Sequence, residues 1–279
     1  MKIKLIEQLG RLGYAAQVVR AERVDELRES IEAGHRNGLY DEALYQEYLS
    51  QFVFSPEPGA RSLIVAAMRQ PMVRFTFTYD HKPIRAIVPP TYLHSRENDR
   101  KVEESLAGIL GPEGYRISPA VLPKKLLAVR SGLASYGRNN VTFIEGMGSF
   151  HRLTAFYSDM PCGEDGWRGL KALERCDDCG ACARVCPTGA IAPDRFLLHA
   201  ERCIVFHNEH PGEVPFPAWI DPSWHNCLVG CMFCQKVCPE DKPYLKQVVE
   251  GPAFSEKETA LILSGADKDR LPAALAKKL

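Results

Sequence analysis

The sequence predicts an α+β protein in two parts: a layered α/β domain over residues 1–160, then a smaller cysteine-organised domain over 161–254 and a charged helical tail over 255–279. Three observations carry this expectation. Helical and strand-like patterns interleave up to about residue 160, the composition then shifts to cysteine, proline and glycine, and eight of the ten cysteines fall into two short runs. A chain of 279 residues is also long enough for about two domains.

Taken in order, residues 2–12 read as an amphipathic helix, with Ile3, Leu5, Ile6, Leu9 and Leu12 on roughly one side and Gly13 ending it. Residues 15–19 are strand-like. Helical periodicity and charge pairs return at 22–33 and 41–52, until Ser55-Pro56-Glu57-Pro58-Gly59 breaks them. The short, apolar, partly β-branched stretch 61–68 reads as a buried strand, and 74–79 alternates as a half-buried one. A charged helix over 97–110 ends at Gly111-Pro112, another is expected over 123–133, and strands over 141–144 and 153–157.

The cysteine runs are Cys176-x2-Cys179-x2-Cys182-x3-Cys186-Pro187 and Cys227-x3-Cys231-x2-Cys234-x3-Cys238-Pro239, with Cys203 between them. A 4Fe-4S cubane needs four thiolates. A tight Cys-x2-Cys-x2-Cys loop supplies three, and in two-cluster proteins the cysteine before proline crosses to the other cluster. The segment is therefore expected to be a ferredoxin-like domain with two 4Fe-4S clusters, moving electrons one at a time. Zinc modules read instead as separated pairs, and a chain this long does not need disulfide staples. On spacing alone Cys227 starts the second run; Cys203 remains a competing ligand. Cys162 reads as an ordinary thiol.

Lys plus Arg equals Asp plus Glu at 35 each, so the basic surplus expected of a nucleic-acid binder is missing. The longest apolar stretch, residues 63–68, is far short of a membrane span, and the amphipathic start does not resemble a signal peptide. A soluble, cytoplasmic protein of the reducing compartment is expected. The stretch 207–226 carries Trp219 and Trp224, which are expected to screen a cluster from solvent. Gly146-Met147-Gly148 lacks the rest of a dinucleotide fingerprint, so direct NAD use is not expected.

Residues 130–139 (Arg-Ser-Gly-Leu-Ala-Ser-Tyr-Gly-Arg-Asn), Gly148-Ser149-Phe150, the run from Cys176 through Cys-Pro-Thr-Gly-Ala-Ile, and Cys203-Ile204 followed by Gly230-Cys231-x2-Cys234-Gln235-x-Val237-Cys238-Pro239 together resemble the epoxyqueuosine reductases, from about residue 60 to 242. That family is cobalamin-dependent, holds two 4Fe-4S clusters, and is related in its clusters to the reductive dehalogenases. The resemblance implies a nitroreductase-like or cobalamin-reductase-like α/β domain. It assigns Cys176, Cys179, Cys182 and Cys238 to cluster 1, and Cys186, Cys203, Cys231 and Cys234 to cluster 2. It makes Gly137, Arg138 and Asn139 candidate cofactor contacts and leaves Tyr136 and His151 as candidate proton donors.

The implied function is an iron-sulfur oxidoreductase that passes low-potential electrons from a ferredoxin or flavodoxin through both clusters to a corrinoid, or another acceptor in the α/β domain; a flavin stays open. The alternatives are epoxyqueuosine reduction on tRNA and electron transfer to a corrinoid protein partner. Two departures stand out. Where the family carries an Asp-Thr-Ala-Pro-Val-Leu-Glu stretch with an aspartate proton donor, this chain reads Ile117-Ser118-Pro119-Ala120-Val121-Leu122-Pro123. It also ends at Leu279, without the helical-repeat extension that helps many members hold transfer RNA. With the neutral charge, this leaves tRNA an unexpected partner, and no membrane is expected.

Overall fold

The computed structural model describes residues 1–267 and 270–279. The first part runs α1 (Lys2–Arg11), β1 (Tyr14–Arg20), α2 (Arg23–Arg36), α3 (Glu42–Glu47), β2 (Ser62–Arg69), β3 (Met72–Tyr79), β4 (Lys82–Val88), α4 (Ser95–Leu110), β5 (Ile117–Pro119), α5 (Lys124–Arg130), β6 (Ser135–Tyr136), β7 (Thr142–Phe143) and β8 (His151–Ser158). The main sheet has the order β1-β2-β8-β5 and is antiparallel throughout. Successive side chains on a strand point to opposite faces, so Leu63, Val65 and Ala67 of β2 pack towards Val24 and Leu27 of α2 and Leu127 of α5. Ile64 and Ala66 face Leu5 and Leu9 of α1 and Leu106 of α4. Helices on both faces explain why β2 reads as a continuous apolar run.

Beyond β8 the chain is latched back before the cysteines begin. Arg23 grips Asp165 through two hydrogen bonds of 3.1 Å. Trp167 donates to Glu26 at 2.8 Å, with the Arg23 and Arg130 guanidinium groups over its ring. The cysteine-rich stretch then forms only short turns of helix: α6 (Cys176–Cys179), α7 (Ala181–Val185), α8 (Ile204–Asn208) and α9 (Phe233–Lys236).

The chain next returns to the first part. β9 (Val248–Phe254) pairs in parallel with β3, completing a second sheet of order β4-β3-β9, and α10 (Glu256–Leu263) and α11 (Ala273–Ala276) follow. Phe254 stacks on Phe77 with ring centroids 4.8 Å apart, and Leu275 and Ile262 join the same cluster. The tail, of which residues 268–269 lie outside the described ones, thus covers this sheet. A reciprocal Ser255–Glu258 capping box starts α10.

Some elements differ from the sequence expectation. β4 was not expected, because Lys82–Arg85 is exposed and Pro83 interrupts any alternation; it is an edge strand, where proline is tolerated. Its hairpin turns on Asp80 and His81, both left-handed at φ 49° and 58°, the geometry of a two-residue type I′ turn. The helix expected over 41–52 is confined to α3 and a separate single turn at Leu49–Gln51. The strand expected over 141–144 keeps only Thr142–Phe143.

Candidate metal centres and the cleft beside them

All ten cysteines are free thiols. Gly180, left-handed at φ 57°, separates α6 from α7, so the chain turns between Cys179 and Cys182. Cys186, Cys203 and Cys238 each have extended backbone at the mouth of a turn. At Cys203 the amides of Val205 and Phe206 donate to the sulfur, and at Cys238 those of Glu240 and Asp241 do so. These sulfurs act as helix N-caps, a setting that favours thiolate.

The thiols fall into two groups by the charges they exert on one another. Cys182 is acted on by Cys176 and Cys179, and Cys238 by Cys176. A narrow cavity bounded by these four cysteines, Gly137 and Phe143 lies in their midst. Cys203 is acted on by Cys231 and Cys186, and Cys234 by Cys231, Cys203 and, more weakly and across the groups, Cys182; Cys231 also acts on Cys227. Burial pushes the Cys203 and Cys238 thiols up to about 11 and raises Cys234 further. Metal ligation reverses such shifts, because a coordinating thiol loses its proton. Among the described residues no three His, Cys, Asp or Glu side chains converge on a single-ion site. A cubane draws each thiolate to a different iron, so its ligands stand farther apart than those of one zinc.

Cys227 is placed differently. Its Sγ donates to Asn226 Oδ1 at 3.2 Å, and its side chain packs against the apolar cluster of Met72, Phe150 and Met232. Cys162 is 8% exposed and donates to the Val18 carbonyl at 3.5 Å, a thiol whose pKa burial raises. It borders an open depression, lined by Arg20, Glu22, Arg61 and residues 161–164, which includes none of the clustered cysteines.

The residues singled out around Gly137 serve the join between the two parts. Arg138 donates to the carbonyls of Pro193 (2.9 Å) and Cys176 (3.4 Å). The buried Asn139 side chain hydrogen-bonds Cys234 and accepts from Val141 N–H at 3.3 Å. Both therefore engage the cysteine loops, and the expected corrin contact is not their visible work. At Gly137 any Cβ would come within 2.6 Å of the Phe143 ring and of Asn139 Oδ1, so glycine is required by close packing.

The two candidate proton donors are placed differently. His151 is 7% exposed; one ring nitrogen lies 3.1 Å from the Gly148 carbonyl and the other 3.0 Å from the Thr142 hydroxyl. The ring therefore donates a hydrogen bond to the carbonyl and accepts one from Thr142, and burial lowers its pKa to about 4. Tyr136 is a half-buried phenol whose pKa desolvation raises, edge-on to Phe196. Its backbone bonds Lys171 and Leu173, both at 2.8 Å. The aromatic screen is partial, since Trp219 is 47% exposed and packs edge-on to His207.

Sequence reasoning missed the charges beside the second group of thiols. Lys125 is exposed, yet protein surrounds it so closely that desolvation lowers its pKa, and the charges of Cys203, Cys234 and Glu209 act on it. Lys124 beside it feels Asp99 and Arg152; Arg152 is held by Asp99 through bonds of 2.5 and 2.6 Å. Glu209, whose charge acts on Lys125, accepts from Tyr92, which packs on Gly230, where a Cβ would fall within 2.8 Å of the phenol oxygen. A signal existed. Two lysines with no acid in the first turn of α5 oppose the helix dipole, so their position needs another reason.

Residues 175–241 match the 4Fe-4S double cluster binding domain. The chain is 34% identical over 151 residues to the epoxyqueuosine reductase of Xanthomonas campestris, covering 53% of this chain and 40% of that protein. With that of Staphylococcus aureus it shares 25% over 245 residues, covering 80% and 59%. Among solved structures, epoxyqueuosine reductase from Streptococcus thermophilus superposes with a TM-score of 0.64 at 17% identity, covering 96% of this chain and 73% of that one. An epoxyqueuosine reductase crystallised with an epoxyqueuosine-modified tRNA-Tyr stem loop gives 0.55 at 21%, covering 87% and 66%. The chain thus resembles the epoxyqueuosine reductases and has their mixed α/β fold with a double-cluster segment. It spans about 40% of the length of the curated relatives that it matches first. No described helix is long and apolar enough to cross a membrane.

Proposed function

We propose that this chain is an iron-sulfur reductase of the epoxyqueuosine reductase type, acting on a substrate held beside Lys125. The observation that carries this reading is the division of the thiols into two groups of four, one of them facing an accessible, desolvated cation. Cys176, Cys179, Cys182 and Cys238 would hold one cluster; Cys186, Cys203, Cys231 and Cys234 the other. The clusters, when bound, supply one-electron transfer at low potential. The bond from Cys227 to Asn226 supports Cys203 as the eighth ligand. A ferredoxin or flavodoxin is the donor class proposed, at the first quartet, whose loop carries the exposed Asp177 and Asp178.

A corrinoid is the acceptor that the resemblance implies. Lys124 and Lys125 offer ammonium donors suited to its amide and phosphate periphery, and bound there it would supply a metal able to take up electrons and act on the substrate. The epoxide of a modified queuosine in tRNA is the first substrate to test, because the relatives carry that activity in their name. Overall neutrality argued against tRNA, but net charge does not report local fields. Lys124, which feels Arg152, and Lys125, which feels Cys203 and Cys234, stand side by side at the start of α5 within a neutral chain.

A second reading, electron transfer to a corrinoid protein, draws support from Ile117. That side chain packs against the α1/α4 core, so the position aligned with the relatives' acid offers no proton. The test is anaerobic titration of the reconstituted protein with hydroxocobalamin, read by absorbance and electron paramagnetic resonance, followed by incubation with an epoxyqueuosine stem loop and dithionite. Corrin uptake with loss of the epoxide supports the reductase. Reducible clusters with neither result would move the chain to the carrier reading or to a flavin enzyme.

A further inference from the structure

The two quartets differ in the polar side chains at their sulfurs. Around the second, three sulfurs have polar side chains at hydrogen-bonding distance. Asn226 Nδ2 donates to Cys231 Sγ at 3.2 Å, the Asn139 side chain bonds Cys234, and the Thr188 hydroxyl lies 3.5 Å from Cys186 Sγ. Both amides are fixed in orientation. Asn226 Oδ1 accepts from Met232 N–H at 2.9 Å and Asn139 Oδ1 from Val141 N–H at 3.3 Å, which turns each NH2 group to sulfur. Asn139 and Thr188 are 4% and 8% exposed, so water screens them little. Lys125, whose pKa desolvation lowers and the charges of Cys203, Glu209 and Cys234 raise, stands beside the same quartet and in its ammonium form adds a positive charge there.

Beside the first quartet Arg138 lines the cavity, and a carboxyl group lies buried nearby. Asp241 is fully buried, three residues after Cys238; burial raises its pKa, the Ser149 donors oppose that rise, and in its ionised form it acts on that sulfur. Its oxygens are met by neutral donors, the Ser149 N–H at 2.8 Å and the Ser149 hydroxyl at 2.6 Å. Backbone amides donate to sulfur in both groups. The side chains make the difference.

Reduction adds one negative charge to a cluster. Hydrogen bonds and cations at its sulfurs stabilise that charge, and a buried carboxylate opposes it. We infer that the second quartet holds the higher-potential cluster and the first the lower, so that this chain's own side chains set the direction of electron flow, from the loop of Cys176 and Cys179 towards Lys125. Asn139, Asn226 and Lys125 raise the upper potential and Asp241 depresses the lower one. The inference rests on the two-cluster reading above.

The experiment is a redox titration of the anaerobically reconstituted full chain, followed by electron paramagnetic resonance, with iron and sulfide counted in each preparation. A chain with about eight irons should show two one-electron couples. Lys125→Gln alters an exposed side chain and should lower the upper couple alone. Asn139→Asp keeps the shape but replaces the donor with an acceptor, and should weaken reduction of that cluster about tenfold, which is about 59 mV for one electron. Asp241→Asn should raise the lower couple alone. With eight irons retained, movement of the lower couple by Lys125→Gln or Asn139→Asp, or no movement by either, would overturn the inference. Fewer than eight irons in the parent protein would overturn the two-cluster reading and the inference with it, so the iron count tells the two failures apart.

Discussion

The contest between Cys203 and Cys227 for one ligand position gives a sharp prediction. Cys227→Ala removes one partly buried sulfur from the cluster of Met72, Phe150 and Met232, and the bond to Asn226. Lost burial costs about 1 kcal/mol and the hydrogen bond about another. At 2–4 °C per kcal/mol for a chain of this order of size, the melting temperature should fall by roughly 5 °C, with iron unchanged. Cys203→Ala removes a sulfur that faces Cys231 and Cys186 and is capped by the amides of Val205 and Phe206. It should lose about four of about eight irons, because three thiolates leave one iron open. Anaerobic iron and sulfide assays on both variants decide the matter. Retention of eight irons by Cys203→Ala, with loss of four in Cys227→Ala, would refute the assignment.

Three further outcomes are expected. Cys179→Ser should lose one cluster and leave the main sheet folded, since metal ligation rather than a large core organises the cysteine loops; iron analysis beside far-ultraviolet circular dichroism checks it, and a full iron complement would count against it. His151 is held neutral, with a pKa of about 4 against about 6.5 when unfolded. Its contribution is therefore fully present above pH 6.5 and is lost as the unfolded chain takes up the proton, by up to roughly 3 kcal/mol at pH 4. Urea midpoints should fall over that window more steeply in the parent protein than in His151→Gln, and parallel curves would contradict the buried neutral ring. Gly148 is left-handed at φ 58°, and a Cβ there would sit 2.5 Å from the Tyr244 ring and 2.6 Å from Asp241 Oδ1. Gly148→Ala should destabilise by about 2 kcal/mol or more, read as a lowered denaturation midpoint with a loosened join between β8 and the loop of Asp241.

The sequence determined the elements whose signal is local. The period of α1 and of α4, the apolar run of β2, and the two cysteine runs each follow from neighbours a few residues apart. Iron chemistry was legible for the same reason: Cys-x2-Cys-x2-Cys spacing is itself the geometry of a loop around a cluster. Elements stabilised from a distance were not legible. β4 depends on pairing with β3, and β9 on a parallel partner about 175 residues earlier in the chain. The setting of the proton-donor candidates was hidden similarly, because burial and two hydrogen bonds at His151 can be known only once the chain is packed. Lys125, Asn226 and Asp241 carry no motif. They matter because folding brings α5, the 207–226 stretch and the loop after Cys238 against the thiols, where low dielectric makes a single amide or charge count. Local spacing thus announced two cysteine runs suited to clusters, while the surroundings of Cys203 and Cys227, and the polar groups beside each quartet, were decided only by the tertiary structure.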